Sequence, residues 1–300
     1  MKLTKNIINI IKHCCIFIMC GIFGLYSKNC NSANIYTVIK GLGLLQHRGK
    51  DGCGISYINE KNQYKLFKTL GNVKEAFKNY KNKDKTQICI GHCKYSTSGK
   101  SMSKNIKNED KINELQPLFS KNNKLISIVH NGNIPYIKQH DTKFLLNILL
   151  RENQDIEQNL IYMMNNIPAA FCLLIISSNN LYVVRDRYGI RPLCIAKKND
   201  CFIISSETCA LDCENFREVL PGEILCINNN GIKTIYKYPK SINALCAFEL
   251  FYFMNPKSKI NNNSIGNIRK NLGKILANNE KLIKKKSDYI VVGVPKSGIL

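Results

Sequence analysis

Short apolar runs alternate with polar turns along most of the chain, a pattern that predicts a protein rich in β-strands. Two stretches instead repeat their apolar residues with a helical period. One covers residues 35–45, and the other begins at Asp141, where aspartate is a favourable N-cap. The predicted strands cover residues 22–26, 55–58, 64–68, 125–129, 169–177, 181–184, 202–206, 223–227 and 233–238, and a further strand begins at residue 88. Paired strands with helices between them predict stacked antiparallel sheets covered by helices, an α+β fold.

The pattern changes after residue 238, at a linker that contains Pro239. Residues 246–253 are rich in aromatic side chains and are predicted as a strand or the start of a helix. A helix is predicted over residues 265–286. The continuous apolar run 289–295 is typical of a buried parallel strand.

These boundaries divide the chain into three parts. We expect a leader over residues 1–19, a first domain over 20–240, and the incomplete beginning of a second domain over 241–300, because a lone helix and strand cannot form a core. The apolar stretch of the leader is too short and too interrupted for a membrane helix. It is a weak targeting peptide, a removable propeptide, or sequence upstream of a start at Met19. The last two are favoured because both expose Cys20.

Cys20 becomes a self-sufficient nucleophile if it begins the chain, because its own α-amine then lies beside its thiol. An α-amine titrates at about 7.7–8.0 and a thiol at about 8.5, so the amine can take the thiol proton near neutral pH. Gly21 and Gly24 let the backbone approach closely and let a ligand reach the thiol. The alternative at this position is a buried structural cysteine.

The formal net charge of +23 raises the question of a nucleic-acid partner. The lysines are scattered among asparagines and isoleucines and form no long block, so a compositional bias explains the charge and no nucleic-acid binding is expected. The 14 cysteines include no CxxC motif and several lie in apolar or small-residue runs, which fits a reducing, cytoplasmic location. No metal-ligand spacing stands out in the sequence.

Three polar segments are candidates for ligand binding, and each has a structural alternative. Residues 46–54 form either a surface turn or a loop that holds a small anionic ligand. Residues 99–114 are polar and predicted to be unstructured, as a lid or a disordered loop. His130-Asn131-Gly132-Asn133 ends a predicted strand. It is either a hairpin turn or an oxyanion hole, built from a side-chain amide and a glycine N–H.

Several motifs occur together in the order typical of one enzyme family. They are Cys20-Gly21-Ile22-Phe23-Gly24, Leu45-Gln46-His47-Arg48-Gly49-Lys50-Asp51, Gly91-His92-Cys93-Lys94-Tyr95-Ser96-Thr97, His130-Asn131-Gly132-Asn133, Arg185-Asp186-Arg187-Tyr188-Gly189-Ile190-Arg191-Pro192-Leu193, Ser205-Ser206-Glu207, Pro221-Gly222-Glu223 and Cys246-Ala247-Phe248-Glu249. On these motifs the chain resembles the glutamine-dependent amidotransferases with an N-terminal nucleophile, and within them the amidophosphoribosyltransferase family. The resemblance implies a four-layer αββα N-terminal-nucleophile hydrolase sandwich, followed by the start of an α/β phosphoribosyltransferase domain.

The resemblance also implies a chemistry for individual residues. Cys20 attacks the side-chain carboxamide of glutamine, while Asn131 and the Gly132 N–H hold the oxyanion, each such donor being worth about 3–4 kcal/mol of barrier. The implied glutamine-binding residues are Arg48, Gly49, Lys94, Thr97 and Asp141. The released ammonia then displaces pyrophosphate from phosphoribosyl pyrophosphate and gives 5-phosphoribosylamine for purine biosynthesis.

Cofactors and partners follow from the same resemblance. Magnesium is expected on the pyrophosphate group. Cys246 matches a position that is an iron–sulfur ligand in some members of the family, whose other ligands would lie downstream. The family forms homo-oligomers, and no membrane partner is expected.

The chain departs from the family pattern in ways that favour a second hypothesis. Lys94 stands where the family has arginine, and arginine grips a carboxylate with two hydrogen bonds whereas lysine offers a point charge. The segment between Asn133 and Asp141 is shorter than in the family, and the phosphoribosyl-pyrophosphate loop would lie beyond this sequence. This chain alone would at most hydrolyse glutamine. The second hypothesis is a non-catalytic remnant that binds glutamine or a partner chain, which the retained Cys20 and Asn131 oppose.

Overall fold

Two antiparallel β-sheets stacked on each other form the centre of the protein in a computed structural model. The structure describes residues 19–29, 34–82, 84–95, 107–120, 124–137, 140–152, 154–279 and 292–293. Its strands, numbered along the chain, are β1 (Gly21–Ser27), β2 (Gly52–Asn59), β3 (Tyr64–Leu70), β4 (Thr86–Lys94), β5 (Leu118–Ser120), β6 (Ile126–Asn133), β7 (Ala170–Ser177), β8 (Asn180–Arg185), β9 (Cys194–Lys198), β10 (Cys201–Ser205), β11 (Phe216–Glu218), β12 (Glu223–Asn228), β13 (Gly231–Lys237), β14 (Lys259–Ile260) and β15 (Asn263–Ser264).

The helices lie outside the two large sheets. They are α1 (Ile35–Leu44), α2 (Val73–Ala76), α3 (Asn108–Asn113), α4 (Asp141–Leu149), α5 (Ile156–Asn166) and α6 (Ile265–Asn279), together with a π-helical turn at Glu249–Phe253. The sheets have seven strands in the order β11-β9-β10-β1-β4-β2-β3 and six in the order β13-β12-β8-β7-β6-β5. Strand β1 is thus central in the first sheet, and the residue that precedes it lies in the middle of the molecule.

Three apolar cores separate four layers, which confirms the predicted αββα arrangement. The alternation of side chains along each strand produces them, since Ile22 of β1 points between the sheets whereas Phe23 points to the outer face. Helix α1 covers that outer face with Val38 and Leu42. Helices α4 and α5 cover the second sheet with Leu145, Leu149, Leu160 and Met163.

Strand β6 continues through His130-Asn131-Gly132-Asn133, so the hairpin-turn interpretation of this motif is wrong. Asn131 is paired with Cys172 of β7 and Gly132 with Phe171. The Asn-Gly pair is a strong local turn signal, but eight residues of pairing with β7 outweigh it here. The motif therefore presents its side chains from a rigid strand rather than from a loop.

Other local expectations need smaller corrections. The loop predicted over 46–54 is shorter, because Gln46–Arg48 form a 3₁₀ turn and Gly52 already begins β2. In the segment predicted as unstructured, α3 forms within the described residues 107–114. The aromatic run after residue 246 is helical, ending in the π-helical turn.

Helix α5 is an element that the sequence pattern did not predict. It begins with a capping box, in which Asp155 and Gln158 each accept a hydrogen bond from the other's backbone N–H. Strands β5, β9 and β11 were also not predicted, and each has only three to five residues. Elements this short carry too few alternating positions to stand out in the sequence.

Residues that follow position 240 are hydrogen-bonded to the first domain. The backbone N–H groups of Ile242, Ala244 and Cys246 donate to the carbonyls of Arg187, Tyr188 and Ile190 at 2.7–3.1 Å. The leader except Met19, most of the strand predicted over 289–295 and the end of the helix predicted over 265–286 lie outside the described residues. Among the described helices, none has the length and apolar character needed to cross a membrane.

Candidate active site

Cys20 immediately precedes β1 and is buried, with 2% of its surface exposed. Continuing the alternation of β1 backward places Cys20 on the same face as Ile22, toward the second sheet. Its backbone N–H donates to Asn131 Oδ1 across the gap between the sheets, at 3.2 Å. The candidate nucleophile and the candidate oxyanion-hole residue are therefore in direct contact.

The register of β6 explains how Asn131 and Gly132 reach this point. A Cβ atom at residue 132 would lie 2.0 Å from the carbonyl oxygen of Ala170, so only glycine fits without moving the backbone. The Asn131 side chain is buried, and its Nδ2 has no hydrogen-bond partner among the described residues. A buried amide donor without a partner is available to a ligand, because leaving it unpaired costs free energy.

Arg48 is fully buried and bonded on several sides. Its Nε donates to the backbone carbonyl of Cys20 at 3.0 Å. Its Nη1 and Nη2 donate to the two carboxylate oxygens of Glu249 at 2.9 and 2.7 Å, and Nη1 also donates to Glu207. The structure thus places Arg48 on the main chain of Cys20, with its guanidinium nitrogens engaged by protein groups.

Glu207 ties together parts of the chain that are far apart in sequence. It accepts hydrogen bonds from His47 Nε2 at 2.7 Å, from Ser258 Oγ at 2.7 Å and from the backbone N–H of Asn255 at 2.8 Å, besides that from Arg48. Burial acts to raise the pKa of Glu207, but Arg48 and His47 lower that pKa to about 2. The carboxylate is therefore charged at neutral pH. For Arg48, burial acts to lower the pKa, and Glu249 with Glu207 raise it above the ordinary value.

Gly49 and Lys94 are neighbours at the end of β4. A Cβ atom at Gly49 would lie 2.5 Å from the backbone carbon of Lys94, so this close approach requires glycine. The Lys94 Nζ lies 3.9 Å from Glu114 Oε2 and is only partly exposed. Thr97, the remaining residue of this predicted group, lies outside the described residues.

Asp141 does not cap α4 as the sequence predicted, because His140 holds the N-cap position. Asp141 lies in the first turn, and its Oδ2 accepts a hydrogen bond from the backbone N–H of Ile134 at 2.8 Å. That bond ties the start of α4 to the end of β6, where Asn131 and Gly132 lie. Burial raises the pKa of Asp141 above its ordinary value.

The thiol of Cys20 requires a base in this environment. Burial raises the pKa of Cys20, and this outweighs the lowering effects of the Tyr95 backbone, Lys94, Arg48 and Arg191. Two buried histidines lie on the strands around this centre: His92 on β4, and His130 on β6, where it faces Thr142 of α4. Burial lowers the pKa of His130 to about 3 and lowers that of His92 well below its ordinary value, so both imidazoles are neutral.

Glu207, Glu249 and Arg191 lie in three of the family motifs, yet the sequence predicted no role for any of them. Arg191 is buried, with its Nη1 3.7 Å from Glu249 Oε1. The available signal was a charged residue at the end of a motif that is otherwise apolar or small, as in Cys246-Ala247-Phe248-Glu249.

The described residues do not fit a metal centre. They contain no group of three or more His, Cys, Asp or Glu side chains arranged to hold a metal ion. Cys246, the residue implied as an iron–sulfur ligand, is buried with a backbone hydrogen bond to Ile190.

A nucleophile held at the start of a central strand, opposite a strand-borne asparagine and glycine in an αββα sandwich, is the arrangement of an N-terminal-nucleophile amidotransferase. The comparisons agree with this class. The sequence profile of a glutamine amidotransferase domain matches residues 103–213. The chain is 32% identical to the amidophosphoribosyltransferases of Methanothermobacter thermautotrophicus, over 93% of this chain and 61% of that protein, and of Bacillus subtilis, over 93% and 60%.

Solved structures give the same result. The glutamine phosphoribosylpyrophosphate amidotransferase from B. subtilis, complexed with ADP and GMP, superimposes with a TM-score of 0.73 at 29% identity, covering 93% of this chain and 62% of that one. The allosteric regulatory enzyme of purine biosynthesis also gives 0.73, at 31% identity. The chain spans about three fifths of the length of these relatives. It carries a glutamine amidotransferase domain, and its predicted resemblance to the amidophosphoribosyltransferase family is confirmed.

Proposed function

We propose that this chain hydrolyses glutamine at Cys20, as the glutaminase part of an amidophosphoribosyltransferase. The observation that carries the proposal is the 3.2 Å contact between Cys20 N and Asn131 Oδ1. It leaves the other atom of the same amide, Nδ2, as a buried donor without a partner among the described residues. A nucleophile beside an unused donor is what attack on a carboxamide requires.

The first step needs a free amine on Cys20. In the described chain this nitrogen belongs to the peptide bond with Met19, so removal of residues up to Met19 creates the base. The amine takes the thiol proton, the sulfur bonds to the carboxamide carbon, and the electrons of the C=O bond move onto oxygen. Asn131 Nδ2 and the Gly132 N–H donate to that oxyanion.

The second step breaks the carbon–nitrogen bond. The Cys20 ammonium returns its proton to the departing nitrogen, which leaves as ammonia, and a thioester remains on Cys20. Water then attacks the thioester carbon, glutamate is released, and the thiol is restored. The high pKa that burial gives Cys20 makes the adjacent amine necessary, because little thiolate forms unaided.

Recognition of the substrate falls to the residues around this centre. Lys94 would attract the α-carboxylate of glutamine, a task that the family resemblance also gives to Thr97, and Asp141 would face its α-amine. Arg48 and Gly49 would form the wall of the pocket, Gly49 through its backbone and Arg48 through its hold on Cys20. The close approach of Gly49 to Lys94 supports this grouping.

The activity of the whole protein extends the proposal. Ammonia from Cys20 would react with phosphoribosyl pyrophosphate, with magnesium on the pyrophosphate group, in a second domain that begins after residue 240. We propose a homo-oligomeric, cytoplasmic enzyme. Similarity to the relatives over 93% of this chain supports this extension.

The test is glutamate release by the purified protein. We expect glutamate and ammonia in equal amounts from a chain that begins at Cys20, and neither product from the Cys20→Ala variant. Release that persists in this variant would overturn the assignment of the nucleophile. A chain that begins at Cys20, folds, and releases no glutamate would overturn the function.

The second candidate is a remnant that binds glutamine without turnover. One observation favours it: Met19 is buried, with 1% of its surface exposed, so the residue before Cys20 fits into the fold in the unprocessed chain. A chain that keeps Met19 has no α-amine on Cys20. Intact mass of the purified protein distinguishes the two candidates.

A further inference from the structure

Glu249 lies outside the predicted boundary of the glutaminase domain yet reaches its centre. The segment that carries it is held along residues 187–190 by three backbone hydrogen bonds. Its side chain is fully buried, and both carboxylate oxygens accept hydrogen bonds from Arg48, at 2.7 and 2.9 Å. This two-point contact fixes the plane of the guanidinium as well as its position.

The position of Arg48 matters because of its third contact. The Arg48 Nε donates to the carbonyl oxygen of Cys20 at 3.0 Å, so the guanidinium plane set by Glu249 also sets the direction of that carbonyl. Rotation of the Cys20 carbonyl changes the backbone that carries both the thiol and the α-nitrogen. The contact is fully buried, where water does not compete for the donor.

We propose that Glu249 is a positioning residue for Cys20, which it orients by holding Arg48 on the Cys20 carbonyl. The segment after residue 240 is then a required part of the glutaminase site and not only the start of a second domain. This inference rests on the proposed function for its effect on turnover, but its effect on the Cys20 thiol can be measured without glutamine.

Glu249 also balances the charge around the nucleophile. Arg48 and Arg191 both face Glu249, and both lower the pKa of Cys20, as Lys94 does. Glu207 also compensates Arg48, but no ion pair within the described residues joins Glu207 to Arg191. Removing the charge of Glu249 leaves the two arginines less compensated, which lowers the pKa of the Cys20 thiol further.

The test compares the Glu249→Gln variant of the full chain with Glu223→Gln. Glu223 is the matched control, because it is also a buried carboxylate that accepts two hydrogen bonds from an arginine, Arg217, in the same fold. For Glu249→Gln we expect kcat for glutamine to fall about tenfold or more, because one positioning contact is lost. The KM should stay within about twofold of that of the unaltered chain. For Glu223→Gln we expect both constants to stay near those of the unaltered chain.

A second readout separates positioning from mere stability. The rate of Cys20 alkylation by iodoacetamide, followed by mass of the Cys20 peptide as pH varies, should show its inflection at lower pH in Glu249→Gln and an unmoved inflection in Glu223→Gln. The Glu249→Asp variant keeps the charge but shortens the side chain, so it should lower kcat and leave the inflection in place. If Glu249→Gln does not fold, the kcat of Glu249→Asp still tests the positioning role.

The inference is overturned if Glu249→Gln or Glu249→Asp folds with unchanged kcat, or if Glu249→Gln leaves the alkylation inflection where it is. Failure of the proposed function is a different result, in which the unaltered chain, beginning at Cys20, releases no glutamate. The alkylation profile still decides the role of Glu249 in that case.

Discussion

Two groups of buried polar residues lie beside Cys20 or on the neighbouring strands β4 and β6, and their hydrogen-bonding groups are satisfied to very different degrees. In the ion-pair cluster, formed by Arg48, Glu207 and Glu249, every side chain takes part in an ion pair and in hydrogen bonds. In the neutral cluster, formed by His92, His130 and Asn131, each side chain has at least one buried nitrogen without a partner among the described residues.

The difference assigns a separate task to each cluster. A fully satisfied buried network has one favourable arrangement, so it fixes the geometry of what it contacts. Unpaired buried donors are costly in the empty site and gain most from a ligand. The ion-pair cluster therefore orients the nucleophile. In the neutral cluster it is Asn131, which contacts Cys20, that can meet the developing charge of a bound substrate, whereas His130 lies on the other face of β6 beside Thr142.

The largest effect should come from removing the group that lies between the clusters. Cys20→Ala should abolish glutamine hydrolysis, a loss of about 10³-fold or more, because no other group forms the thioester. Cys93→Ala is the matched control, a buried cysteine on the adjacent strand, and should retain turnover. Glutamine hydrolysis by Cys20→Ala at a rate similar to that of Cys93→Ala would show that Cys20 is not the nucleophile.

Breaking the ion-pair cluster should lower stability in addition to disturbing the orientation of Cys20. Arg48→Met leaves Glu207 and Glu249 buried without their cation, so the free energy of unfolding should fall by about 3–5 kcal/mol. Urea unfolding measures this. Arg217→Met is the control, since Arg217 is partly exposed and the buried Glu223 keeps a hydrogen bond from the Leu220 N–H, so the loss should be smaller, about 1 kcal/mol. Equal losses for the two variants would contradict the role of burial.

Breaking the neutral cluster should act mainly on turnover. Asn131→Ala removes one oxyanion donor, so kcat should fall by about 10²–10³-fold, which corresponds to about 3–4 kcal/mol. Asn131→Asp keeps the shape of the side chain and the acceptor for Cys20 N but loses the donor. Its kcat should therefore be no higher than that of Asn131→Ala. Recovery of kcat in Asn131→Asp would show that shape, not donation, is what Asn131 provides.

The neutral cluster should also make the fold sensitive to acid. Burial holds the pKa of His130 at about 3 in the folded chain, against about 6.5 in the unfolded chain. The unfolded state therefore binds this proton first. The corresponding stability is complete above about pH 6.5 and is lost as pH falls toward 3, by about 1.4 kcal/mol per pH unit. In His130→Asn the slope of the unfolding free energy against pH, measured between about pH 3 and 6.5, should lose the contribution of one proton. An unchanged slope would contradict the shifted pKa of His130.

The smallest effect should come from Lys94, which belongs to neither cluster and is proposed to bind the α-carboxylate of the substrate. Lys94→Arg replaces a point charge with a planar fork, and one added hydrogen bond worth about 1 kcal/mol should lower the glutamine KM about fivefold. Steady-state kinetics with glutamine measures it. A KM that stays constant or rises would mean that residue 94 does not bind the α-carboxylate.

The sequence predicted much of the fold through its periodicity. The central strand β1, strand β6 and helix α1 were expected within a few residues of their observed limits. The Asn131-Gly132 turn was one of two interpretations, and it failed because pairing with β7 is invisible in the local sequence. The short strands β5, β9 and β11 failed because three to five residues carry little alternation.

The neutral cluster was predictable in part, and the ion-pair cluster was not. Asn131 and Gly132 lie in one motif, so the resemblance could assign them together. Arg48 and Glu249 are separated by 201 positions, and no local pattern joins them. The predicted boundary at residue 240 also separated them, because it was placed by composition and not by contacts.

The most direct test of the central claim, that Cys20 is a working nucleophile, is mass spectrometry of the purified protein before and after reaction with a diazo-ketone analogue of glutamine. The account predicts a chain that begins at Cys20 and gains a single adduct on that residue. A chain that retains Met19, or one that begins at Cys20 and is not modified there, would contradict it.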